Sequence, residues 1–149
     1  VVPNSGNEIS RHPGTYAVVM RLETPLSVNI GKLGMTSFES GHLCYIGSAM
    51  NGLKARVSRH LRSNKRMHWH IDYLLTHAHI VDVFWSNCRE RLECSVAREI
   101  SIQGLPSIKG FGSSDCSCPS HLFYDRELEK LNLTIQAAFR PILFRRTFA

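Results

Sequence analysis

At 149 residues, 43% of them apolar, the chain has the size and apolar content of one compact domain that fills its core without disulfides. No run approaches the roughly 18 consecutive apolar residues of a membrane span, and Val1 to Pro13 lacks the cationic-then-apolar order of a secretion signal, so a soluble cytoplasmic protein is expected. The 18 Lys and Arg against 12 Asp and Glu leave a charge of +6, which disfavours a cationic partner and suits a polyanion; about six cations on phosphates would cost roughly a thousandfold in affinity between about 50 and 200 mM salt.

Residues 1–13, punctuated by Pro3, Gly6 and Pro13, read as a flexible lead-in. Gly14 to Leu22 (GTYAVVMRL) is rich in aromatic and β-branched residues and predicts a strand. Leu26 to Ile30 predicts a second strand, continuing the first as a meander. Gly31 to Gly34 and Glu39 to Gly41 are turn chemistry, with only a short stretch around Phe38 between them. His42 to Ala49 predicts the next strand.

From Gly52 the period changes. Leu53, Val57 and Leu61 recur every four residues and predict a helix with one apolar side, while Lys54, Arg56, Arg59, His60 and Arg62 fall on its cationic side. A short helix over Ile71 to His77, a strand over Ile80 to Trp85 and a third helix from about Arg89 follow. Leu92, Val96 and Ile100 form the buried stripe of that third helix, ended by Gly104 and Pro106. Gly110 to Ser120 is a small-residue loop, and His121 to Tyr124 returns as an edge strand. Residues 125–149 read as a C-terminal extension packed on the same domain. The whole is an α/β domain with a mainly antiparallel sheet, because its early connections are short.

Four residue types, tyrosine, arginine, histidine and glutamate, point to phosphate chemistry. Tyr16 and Tyr45 lie on two strands of one sheet. Arg56 and His60, four apart on a helix, place a fixed cation beside a group that titrates near neutrality. Glu93 borders the apolar stripe of the third helix, where a carboxylate can hold one divalent ion with water at its remaining positions. Such a set can activate water, neutralise charge and anchor a metal.

Gly14 Thr15 Tyr16 and Tyr45 Ile46 Gly47 resemble the two motif halves of the GIY-YIG nucleases, with Arg56, His60 and Glu93 following in the family's order. The runs GHLCYIGSA, GLKARVSRHLR, KRMHWHIDYLL, LECSVA and FGSSDCSCPSHLFY are most similar to an archaeal branch of that superfamily, over about Gly14 to Tyr124. The resemblance implies a three-stranded antiparallel sheet, possibly extended, flanked by helices. It also implies a metal-dependent endonuclease acting on DNA in repair or processing, with one Mg2+ or Mn2+ on Glu93 and catalytic roles for Tyr16, Tyr45, Arg56 and His60. Gly47, Ser48, Lys54, Arg59 and His70 are the expected substrate-binding residues. Two positions depart from the pattern: Thr15 replaces isoleucine, and no Asn occurs between Asn87 and Asn132, where many members carry one after the glutamate.

Other readings remain open at this level. Tyr16 and Tyr45, taken singly, read as core aromatics, and Glu93 as a residue favouring the helix dipole. His68, Trp69, His70 and Asp72 read as packing and hydrogen-bonding residues before they read as a metal site. Asp115, Cys116, Cys118 and His121 lack the paired CxxC units of a zinc site, so zinc is not expected, and the five cysteines suit a reducing compartment. A missing Asn would also suit a DNA-binding module without catalysis, and the apolar tail of residues 135–148 a protein partner or dimer.

Overall fold

The computed structural model describes residues 8–142 and 144–147. The chain runs β1 (Gly14–Leu22), β2 (Leu26–Ile30), β3 (Gly34–Phe38), β4 (Gly41–Ala49), α1 (Leu53–Leu61), α2 (His70–Leu74), β5 (His79–Asn87), α3 (Glu93–Ile102), β6 (Leu122–Asp125), α4 (Leu128–Phe139) and β7 (Arg145–Thr147). Five strands form one antiparallel sheet in the order β6-β4-β1-β5-β7. The expected three-stranded core is therefore extended on both edges: β6 pairs with β4, and β7, from the C-terminal extension, pairs with β5.

Strand β1 is central, and all of it is buried except Arg21, as a nearly continuous apolar run covered on both faces should be. One face packs Tyr16, Val18 and Met20 against α1, α2 and the β2-β3 hairpin. The other packs Ala17 and Val19 against α3 and α4.

The expected meander of the first two predicted strands does not form. Strand β2 instead pairs with β3 in a separate two-stranded sheet, joined by a 3₁₀ turn at Gly31–Leu33 with positive φ at Gly31 and Gly34. Its residues alternate between exposed Ser27, Asn29, Met35 and Ser37 and the inward Val28, Ile30 and Phe38. A hairpin with only one apolar face belongs on top of a core, not within it.

Helix α1 corrects another expectation. Leu53 and Val57 are buried, but Leu61 is 54% exposed and His60, at 3%, takes the third inward position. A step of three after a step of four stays on the same side of a helix that ends at Leu61. Lys65 closes that end, its ammonium donating to the carbonyls of His60 (2.8 Å) and Arg59 (3.2 Å).

Both flanking segments are tied to the domain. In the lead-in, the carbonyls of Ser10 and His12 accept from Lys54 and Leu53 N–H, and that of Pro13 accepts from Cys88; Val1 to Asn7 lie outside the described residues. In the extension, Leu131, Ile135 and Phe139 recur along one side of α4 and are fully buried against α3 and the sheet. Phe144 packs on Phe84 and Phe139. Among the described residues of the apolar tail that suggested an external partner, Ile135, Ala138, Phe139, Ile142 and Phe144 pack in the chain's own second core, while Leu143 and Phe148 lie outside the described residues.

Candidate active site

Strand β6 covers β4 only from His42 to Tyr45, and one further bond joins Ile46 N–H to the His121 carbonyl. Past that point the β4 edge borders a cleft of about 330 Å³. Gly47 and Ser48 form its floor, Arg56 with the 68–70 segment one wall, and Glu93 with the 112–116 loop the other.

The two motif tyrosines share a face of the sheet, because Tyr16 pairs with Gly47 and Val18 with Tyr45; their ring centroids are 6.4 Å apart. Tyr45 lines the cleft, whereas Tyr16 is wholly buried behind it. Close packing, against the Tyr16 ring at one and the β5 backbone at the other, explains the two motif glycines. A Cβ on Gly47 would lie 2.6 Å from the Tyr16 hydroxyl, and one on Gly14 would lie 2.2 Å from the Ser86 carbonyl.

Tyr16 Oη lies 2.8 Å from His60 Nε2, and the His60 ring also meets Tyr45 edge-on at 6.3 Å. Burial, with Lys65 and Arg56 adding repulsion, pulls the His60 imidazole down to about 3, so it is neutral at pH 7. Burial raises the Tyr16 phenol to about 12 against the pull of Arg56. Tyr45 is also raised, by burial first and the neighbouring Tyr16 next. Both phenols keep their protons. His60 Nδ1 is buried with no hydrogen-bond partner among the described residues.

Arg56 crosses from α1 to the cleft, donating to the Ser48 carbonyl at 3.1 Å, and its guanidinium lies 4.4 Å from the Trp69 ring centroid. The other wall is closed by a short hydrogen bond from the Ser48 hydroxyl to the Glu93 carboxylate. Tyr45, Arg56 and Glu93 therefore converge on one cleft, with Tyr16 and His60 directly behind. Of the expected substrate-binding residues, Gly47, Ser48 and His70 line it. His70, whose pKa burial lowers, accepts the Gly112 N–H at 2.9 Å through Nδ1. Lys54 and Arg59 do not line it: Lys54 pairs with Glu8 at 2.8 Å, and Arg59 is committed to Asp72 through two bonds of 2.8 and 2.9 Å.

Asp72 is fully buried. Burial pushes its carboxyl up, but Arg59 and the N–H groups of Trp69 and His68 outweigh this and hold it below the usual carboxylate value. Its role is to fix the start of α2 and seat Arg59 over Trp69 as well, 4.2 Å from the ring centroid.

The divalent ion implied by the sequence resemblance can be tested against these donors. Glu93 is a half-buried carboxylate with lone pairs beyond the one Ser48 occupies, exposed Asp115 also lines the cleft, and there is space for water. One or two carboxylates with water suit a hard cation such as Mg2+ or Mn2+.

Residues 15–143 match a family model described as a domain of unknown function, DUF123. The chain belongs to the DUF123 family. No curated protein and no solved structure matches it. The DUF123 match runs through α4, in keeping with the packing of that helix into the second core. Within this DUF123 domain, the sequence marks Trp69 as a packing residue but not that two arginines pack over its ring. Cys94 counts there only as one of five cysteines, with Asp115 in its place beside Cys116, Cys118 and His121. Cys94 sits beside Glu93 at the start of α3 and gathers with Cys116, Cys118 and His121, a convergence that the C-x-C pair alone does not announce.

Proposed function

We propose that this cleft hydrolyses phosphodiester bonds in DNA, as an endonuclease of the GIY-YIG kind. One observation carries the reading. A cation, a carboxylate and a phenol from α1, α3 and β4 meet at one cleft, and the other two residues of the set form a hydrogen-bonded pair directly behind the phenol. In this reading Arg56, packed over Trp69, binds the scissile phosphate and offsets the charge it gains. Glu93 holds a divalent cation, whose contribution is further neutralisation of phosphate charge. Tyr45, a neutral phenol at the cleft, orients the attacking water by hydrogen bonding. Tyr16 and His60 act as positioning residues: too buried to touch substrate, they set the angle of the Tyr45 ring.

Among the described residues the single domain carries no obvious second DNA-binding module, so structure- or lesion-specific cutting in repair or processing fits better than a long recognition sequence. The test is incubation with duplex, flapped, branched, abasic and single-stranded DNA, with and without Mg2+ or Mn2+. Cleavage of at least one substrate only with metal is expected, lost in Glu93→Gln while salt-sensitive binding persists. Binding without cutting across the panel would leave a nucleic-acid-binding module. Absence of both would end the nucleic-acid reading.

A further inference from the structure

Cys94 in the first turn of α3, Cys116 and Cys118 in the following loop and His121 just before β6 each present one ligand atom, and these atoms all lie within 4.8 Å of one another. His121 Nε2 is 3.7 Å from Cys94 Sγ and 3.5 Å from Cys116 Sγ. Zinc–sulfur and zinc–nitrogen bonds of about 2.3 and 2.1 Å at tetrahedral angles give ligand-to-ligand edges of about 3.6 Å. The cluster already has nearly that size. We propose that Cys94, Cys116, Cys118 and His121 bind one structural Zn2+ through three sulfurs and one nitrogen.

The chemistry selects the ion. Three thiolates and an imidazole are the soft and borderline donors that zinc takes, not the oxygen set of magnesium or calcium. Four protein ligands close the coordination shell, which makes the site structural and separate in kind from the Glu93 position. A disulfide is the competing use of these thiols, but it joins only two sulfurs and leaves a thiol and the imidazole facing it.

The loop carrying Cys116 and Cys118 is shaped by backbone bonds from Gly110 N–H to the Pro119 carbonyl (2.7 Å) and from His121 N–H to that of Phe111 (2.8 Å). Positive φ at Gly110 and Gly112 permits its turns. It contains no regular secondary structure between α3 and β6 apart from an isolated bridge at Ser107. A zinc ion across it ties the loop to α3 at the residue bonded to Glu93. Because Cys116 and His121 also line the cleft, the ion holds Glu93 and the loop together within one of its walls. The site does not depend on the nuclease reading, and metal content reports on it even if the chain cuts nothing.

The test is elemental analysis of the full chain purified under reducing conditions, with cobalt substitution for geometry. About one zinc per chain is expected, and the cobalt form should show intense tetrahedral thiolate bands. Cys118→Ser and Cys94→Ser should lower zinc content several-fold, while Cys88→Ser, outside the cluster, keeps it. If the cluster variants fail to fold, thiol titration of the wild-type protein decides. Three thiols, beyond the buried Cys44, should be protected until a strong chelator is added, and the 110–121 loop should then become sensitive to limited proteolysis. Folded wild-type protein with all its thiols reduced, no zinc and no tetrahedral cobalt spectrum would overturn the proposal. So would a native disulfide among Cys94, Cys116 and Cys118.

Discussion

Replacing His60 with Gln should flatten the acid side of the protein's stability profile. His60 is 3% exposed, and its folded pKa is pulled to about 3 by burial first and nearby cations second, against about 6.5 in an unfolded chain. Because the folded value is the lower one, the unfolded chain binds more protons between those limits, and stability is lost as pH falls below the unfolded value. Integrated from pH 7 to pH 5, this single group costs about 2 kcal/mol. The figure barely changes if the folded pKa is nearer 4, since the imidazole is still uncharged at pH 5. Gln keeps a polar group near Tyr16 but cannot titrate. His70 and His121, both lowered by burial, remain in each protein and cancel in the comparison. Urea unfolding at pH 7, 6 and 5 is the assay, read as the difference between the two slopes against pH. The wild-type protein should lose about 2 kcal/mol more than His60→Gln over that range. Parallel slopes would refute the reasoning, since they would mean that the imidazole takes up a proton within the folded protein as readily as outside it.

Arg59→Met should lower stability by about 3 kcal/mol at pH 7, because it strands the fully buried Asp72 carboxylate; a double variant with Asp72→Asn should recover part of that loss in denaturant titrations. Gly47→Ala should cost about 1 to 3 kcal/mol through overpacking against the Tyr16 ring, and a thermal midpoint equal to the wild type would contradict the close approach described. Ile135→Ala should cost about 2 to 5 kcal/mol; a neutral result would mean that α4 is not part of the core. Arg56→Ala should reduce cleavage far more than Lys54→Ala, since only Arg56 reaches the cleft, and equal losses would disconnect the cleft from catalysis.

Strand and helix identities were readable wherever an apolar pattern is strong, as in GTYAVVMRL, whose run is long enough to fill both faces of a central strand. The pattern failed where burial is one-sided or borrowed. Strand β3 exposes Met35 and Ser37 and looked like turn sequence, while His60 occupies a core position that an apolar count gives to Leu61. The site was legible as a motif set but not as a division of labour. Tyr16 and Tyr45 belong to equivalent motif halves, yet register puts Tyr16 against Gly47 and shuts it behind Tyr45, which alone faces the cleft.

The same limit explains the arginines. Arg56 and Arg59 look interchangeable on a cationic helix side, three residues apart. What separates them is a carboxylate supplied from α2: Asp72 neutralises Arg59, while Arg56, over the same Trp69 ring, donates to the Ser48 carbonyl and pairs with no carboxylate among the described residues. The charge that matters for an anionic ligand is thus the one left uncompensated by the fold. Net charge and helical spacing count both arginines equally, because the compensating group lies on another element. Charge reversal at the two positions separates the accounts. Arg56→Glu should abolish DNA binding at low salt with little loss of stability, whereas Arg59→Glu should unfold the domain by setting a second carboxylate against Asp72. If Arg59→Glu stayed folded and lost DNA binding as completely as Arg56→Glu, the partition drawn from Asp72 would be wrong.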